Sequence, residues 1–152
     1  MITNETEATI DRPPQQAWAY AADILRHPDW MSVANARLIR GEGTKVGDRG
    51  RERLILGPLK WDVEFEVVEA VPGRRIVWRS VDDPRLDLEV GLDLEPAGDA
   101  STRATYHGAV QLHGRWRLLA PLMAMEASAG LRRELQRLKA NVETVPAVAA
   151  AS

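Results

Sequence analysis

The chain has no cysteine. That excludes a disulfide framework, a thiolate nucleophile and a cysteine-ligated zinc site. Histidine is scarce, with only His27, His107 and His113, and their spacing matches no ligand set, so no metal site is expected. The longest apolar run, Leu118 to Met125, stops at Glu126, far short of the roughly 20 residues a membrane helix needs. Neither sign of charge dominates: the net charge is -2, which gives no global pull toward nucleic acid. No phosphate loop, dinucleotide fingerprint or supported Ser-His-Asp arrangement is present, and no cofactor is expected. The opening MITNETEATI lacks the profile of a signal peptide, so a cytoplasmic location is the expectation.

What is present fits one domain. The 152 residues are 45% hydrophobic and 28% charged, enough to bury a core. Thr3 to Ile10 alternates and reads as a first strand. Pro13 and Pro14 start a helix carrying Ala17, Trp18, Ala21 and Leu25 at helical spacing. His27-Pro28-Asp29-Trp30 ends it and forms a short second turn. Residues 35–40 read as a strand, and Gly41, Gly43 and Gly47 mark the loop after it. Further strands follow over 75–81, 86–95 and 102–113. A helix over about 115–143 carries Leu131, Leu135, Leu138 and Val142 on one stripe, with Pro121 in its first turn or at a kink. Residues 144–152 have no usable periodicity and are expected to form a disordered tail.

The clearest pattern lies in 49–56 and 60–69, two strands joined around Gly57-Pro58. With Ile55 opposite Lys60, Arg53 falls opposite Asp62, Arg51 opposite Glu64 and Arg49 opposite Glu66. The other face then holds Gly50, Glu52, Leu54, Trp61, Val63, Phe65 and Val67. One wet and one apolar face is the mark of an antiparallel sheet buried on one side. The same pairing places Ile76, Trp78 and Ser80, and then Ala104, Tyr106, Gly108, Val110 and Leu112, on the inner face. It turns His107 and His113 outward.

The order of these elements resembles the START-like or SRPBCC superfamily, in particular its polyketide cyclase/dehydrase and lipid-transport branch. The carrying residues are Ile10-Asp11-Arg12-Pro13 leading into Trp18, the Pro28-Asp29-Trp30 turn, the Gly43 to Gly47 loop before an Arg-rich strand, Thr102 to Tyr106, and the terminal helix. The resemblance covers residues 1–143 as a single ligand-binding domain. It implies an α+β helix-grip fold, with a curved antiparallel sheet of about six to seven strands around a long C-terminal helix and two short helices after the first strand. It also implies a cavity for an apolar ligand, but no particular reaction. Members of the Rieske oxygenase type carry clustered iron ligands, which this chain lacks. The position of Glu52 usually holds an apolar residue in the superfamily, so a carboxylate there is unexpected.

Two functions from different classes follow. The first is binding or carriage of a small hydrophobic molecule such as a polyketide, lipid or isoprenoid. The second is a cofactor-free cyclase/aromatase or dehydratase with Glu52 and Tyr106 as acid and base. Trp30, Trp61, Phe65, Trp78, Ser80, Tyr106, Leu122 and Met125 are the expected ligand-contacting residues, with Trp30 on a turn that covers either the cavity mouth or the core. An unpaired Glu52 on an apolar face is costly, so Glu52→Leu is expected to stabilise the fold. Arg132, Arg133, Arg137 and Lys139 read as the wet face of the last helix. The expected partner is a small hydrophobic molecule, with no nucleic acid and no membrane span, and a monomer or homodimer is expected.

Overall fold

The computed structural model describes residues 1–56 and 58–146. Gly57, half of the expected Gly57-Pro58 turn, lies outside them. β1 (Ile2–Ile10) is followed by α1 (Pro14–Ala22), a single 3-10 turn (Ile24–Arg26) and the four-residue α2 (His27–Trp30). Six strands come next: β2 (Val33–Arg40), β3 (Arg49–Leu56), β4 (Leu59–Val71), β5 (Arg75–Ser80), β6 (Leu86–Pro96) and β7 (Thr102–Leu112). A second 3-10 stretch (Gly114–Leu119) leads into α3 (Ala120–Thr144).

The sheet is antiparallel throughout, in the order β1-β7-β6-β5-β4-β3-β2. β1 and β2 are neighbours in sequence but form opposite edges. The segment between them therefore has to cross the whole sheet, and α1 and α2 make that crossing. α3 packs along β1 and against α2 and β7, so the curled sheet grips it from one side. This is the helix-grip architecture.

The β3–β4 register is the one the charge pattern predicts: Ile55 opposite Lys60, Arg53 opposite Asp62, Arg51 opposite Glu64 and Arg49 opposite Glu66. The register slips between Val67 and Glu69. Such a bulge bends a long strand and lets the sheet curl. The inner face buries Val63, Phe65, Val67, Ile76, Trp78, Leu92, Leu94, Ala104 and Tyr106, and α3 adds Leu135, Leu138 and Val142.

The predicted last helix is two pieces, because residues 114–119 wind as 3-10 before α3 begins. Pro121 then falls in the first turn of α3, where its missing N–H costs nothing and no kink follows. Thr144 closes the helix, and the Arg12 guanidinium takes the carbonyls of Glu143 and Val145 at 2.6 and 2.9 Å. A cation on the last carbonyls of a helix satisfies orphan acceptors and complements the dipole. Arg12 thus ties the end of α3 to the β1–α1 link, and Asp11 N–H completes the clasp on Glu143 Oε2 at 2.7 Å. Of the expected tail, residues 147–152 lie outside the described residues. No helix among the described residues is long and apolar enough to cross a membrane.

Candidate functional site

A cavity of about 230 Å³ lies between the inner face of the sheet and the first half of α3. Its walls are mainly apolar: Phe65, Leu86, Leu88 and Val90 from the sheet, Met123 and Leu131 from the helix. Gly108 also lines it, and a Cβ added there would make ordinary van der Waals contact with Leu131 at 3.5 Å. Met123 and Glu134 both line it, so it extends about 16 Å along α3 at 1.5 Å per residue. Beyond Glu134 the helix packs into solid core through Leu135, Leu138 and Val142.

Polar groups gather beside that core. Alternation along β3 turns Glu52 inward, where it is 5% exposed. It is not unpaired. Its Oε1 meets Nδ1 of His27, which is 1% exposed at the start of α2. The other ring nitrogen, Nε2, lies 3.1 Å from the Ala21 carbonyl. A carbonyl only accepts, so Nε2 carries a hydrogen. The Nδ1–Oε1 contact then needs one proton more, held either as imidazolium and carboxylate or as imidazole and carboxylic acid. In both forms the pair is neutral overall and holds one shared proton. His27 also stands edge-on to Trp78 and Trp30, with ring centroids at 4.9 and 5.8 Å.

A second pair sits beside the first. The Tyr106 hydroxyl donates to Glu134 Oε2 at 2.7 Å, and the Ser32 backbone N–H donates to Oε1 at 2.9 Å. Both oxygens of Glu134 are therefore in use. Burial above all, together with the Glu134 and Glu52 carboxylates, holds the Tyr106 hydroxyl well above the ordinary phenol value. Tyr106 stays neutral, with its hydrogen committed to Glu134.

Glu52, Phe65, Trp78 and Tyr106 line the cavity. The other expected contacts lie elsewhere. Trp30 is fully buried behind the site, 5.5 Å from the Tyr106 ring, and caps core rather than the mouth. Trp61 packs under Trp116 and the Arg85 guanidinium toward the tip of the β3–β4 hairpin. Ser80 faces its neighbour strand and accepts the Leu88 N–H at 2.9 Å. Leu122 and Met125 are 47% and 76% exposed. Their phase along α3 is set by the 3-10 stretch before it, and Met123, Ala127 and Leu131 face the cavity instead. The wet face of α3 is also more engaged than expected: Arg133 reaches the cavity rim, and Lys139 binds the Thr9 carbonyl at 2.7 Å.

His27 and Glu134 are the polar residues that the sequence reading missed. Glu134 had a signal, since it follows Leu131 by three residues and precedes Leu138 by four, which places it on the buried stripe. His27 had none, because its partner on β3 is 25 residues away in sequence. His107 and His113 face outward toward Asp93 and Asp87. No three His, Asp or Glu side chains converge as a metal site among the described residues.

A curled sheet gripping one helix, with an apolar cavity between them, defines a START-like ligand-cavity fold. The chain belongs to the polyketide cyclase / dehydrase and lipid transport family, whose model matches residues 1–143. No curated protein sequence matches it significantly. Among solved structures it is similar to a START superfamily protein from Mycobacterium smegmatis (TM-score 0.79, 14% identity, 95% of this chain and 99% of that one). It is also similar to the Zhui aromatase/cyclase from a Streptomyces species (TM-score 0.71, 12% identity, 93% of each chain). A third relative is a truncated norcoclaurine synthase from Thalictrum flavum (TM-score 0.69, 12% identity, 95% of this chain and 94% of that one). At these identities the likeness is one of fold.

Proposed function

We propose that this protein binds a small, mainly apolar molecule between the sheet and α3. The observation that carries this reading is the cavity itself, whose apolar walls meet polar groups at His27, Glu52 and Tyr106. Empty apolar space of this size is uncommon in a packed interior. Its setting is a cytoplasmic monomer or homodimer without a nucleic-acid partner. Native mass spectrometry of the purified protein tests the reading directly, by detecting and identifying a co-purified small molecule. A ligand present at a hundred times its Kd stabilises the native state by about 2.7 kcal/mol, and Trp78 on the cavity wall makes tryptophan emission a second readout. A broad set of polyketides, fatty acids and sterols that shifts neither signal, with nothing co-purifying, overturns it.

The proton shared by His27 and Glu52 favours a second reading, a cofactor-free cyclase/aromatase or dehydratase. Its acid and base are then Glu52 and His27, while Tyr106, whose hydrogen is committed to Glu134, orients the substrate. Glu52→Gln keeps the shape and removes the transferable proton. Turnover then falls about a hundredfold or more with binding retained. A carrier shows no turnover to lose.

A further inference from the structure

We propose that the first turns of α3 and the 3-10 stretch before it dock on the surface of an anionic phospholipid bilayer, lying on the membrane without crossing it. The inference goes beyond the ligand-binding reading and does not depend on it.

This segment has two apolar sides. One belongs to the fold: Trp116 packs on Trp61, and Leu119, Ala120 and Met123 lie against the core. The other side faces water. Leu118 is 84% exposed, and Leu122 and Met125 follow it at four- and three-residue steps, both exposed. A single exposed leucine needs no explanation, but three large apolar side chains on one short segment form a patch, and such patches mark contact surfaces. The inner side anchors the segment, so the outer side chains are held out from the fold.

Charge decides what covers the patch. Arg115 and Arg117 stand just before it, and Arg132 and Arg133 stand two turns after Met125. Glu126 is the one acidic residue between them, and it faces Arg133 at 3.7 Å. Arg115, Arg117 and Arg132 have no carboxylate partner among the described residues. On the outer face of the sheet, by contrast, Arg49, Arg53, Arg75, Arg79 and Arg103 each meet one. The chain as a whole carries a net charge of -2, so the cationic rim is local and turns this patch toward a negative surface.

Apolar side chains flanked by arginines suit the boundary of an anionic bilayer: the leucines and methionine enter among the acyl chains while the guanidiniums meet lipid phosphates. A second copy fits worse, because a two-fold contact sets the same four arginines against each other. The core of a protein interface is enriched in aromatic rings, and the aromatic nearest this patch, Trp116, is turned inward onto Trp61. Glu126 and Arg133 also line the cavity, so docking brings the cavity rim to the lipid.

Co-sedimentation of the whole protein with vesicles tests the proposal, using pure phosphatidylcholine and a mixture of phosphatidylcholine with phosphatidylglycerol. The mixed vesicles are expected to bind roughly tenfold or more tightly than the neutral ones, and less so in high salt. Arg117→Ala with Arg132→Ala is expected to weaken binding to mixed vesicles roughly twentyfold. Leu118→Gln with Met125→Gln is expected to weaken it roughly tenfold. All four side chains are exposed, so unchanged melting temperatures are expected and confirm that the variants fold. Arg51→Ala with Arg53→Ala removes the same charge from the far face of the sheet and is expected to change binding less than about twofold. Equal binding to both kinds of vesicle, or an equal loss in the far-face pair, overturns the proposal. Absence of vesicle binding overturns it too, and sedimentation velocity then reassigns the patch. A dimer that Leu118→Gln with Met125→Gln dissolves gives it to a second copy, and a monomer gives it to an acidic protein.

Discussion

β3 carries charge on both faces, and the two faces treat it differently. On the outside, Arg49 and Arg53 meet Glu64, Glu66 and Asp62 across the hairpin at 3.0 to 3.4 Å, half in water. On the inside, one residue out of phase, Glu52 meets His27 with almost no access to solvent. Outside, water screens each charge and a lost partner is replaced by solvent. Inside, nothing replaces it, so the pair stands or falls together. Strand alternation alone decides which regime a residue enters.

The largest expected effect breaks the inner pair. Glu52→Leu or His27→Ala should each cost about 3 to 5 kcal/mol in denaturant melts, because each strands its partner in the core. This reverses the sequence-based expectation that Glu52→Leu stabilises, which assumed no partner. Replacing both, with His27→Phe and Glu52→Leu together, should recover most of the loss. If the double variant is no better than the worse single one, the two residues do not act as a pair.

Tyr106 sharpens the comparison at the next level. Tyr106→Phe should cost about 1 to 2 kcal/mol by leaving Glu134 Oε2 without its donor. The folded protein holds the Tyr106 hydroxyl above its unfolded value. Its contribution is therefore fully present below about pH 10 and declines as pH rises above that point, since the unfolded chain ionises first. Melts between pH 8 and 11 should show an alkaline loss of stability that Tyr106→Phe reduces. An equal loss in both proteins would assign it to other groups.

The smallest effect lies on the outer face. Arg51 is exposed, and its cross-strand position opposite Glu64 is the one the register predicts. Arg51→Ala should change stability by no more than about 0.5 kcal/mol, less still in high salt. A loss of several kcal/mol would place Arg51 inside and overturn the contrast between the faces.

The legible parts were those where a local rule had one solution. Opposite charges fixed the β3–β4 register, because a slip by one residue would bury the arginines and expose Trp61, Val63 and Phe65. Leucine spacing announced the buried half of α3. Its first half was misread at Leu122 and Met125, since a run of apolar and small residues has no unique face until the preceding turn sets its phase. Trp61 and Trp78 looked equivalent by alternation. They part company because one sits at the hairpin tip under Arg85 and Trp116 while the other sits mid-sheet beside His27.

The sequence by itself determined the class of fold, the wet and dry faces of the sheet, and the inward turn of Glu52 and Tyr106. These follow from periodicity and charge, which act between near neighbours. Only the tertiary structure decided that Glu52 meets His27, that Tyr106 meets Glu134, and that Trp78 stands edge-on to His27. Those facts depend on how α1 and α2 cross the sheet and where α3 lies, and both are set by the closure of the whole core.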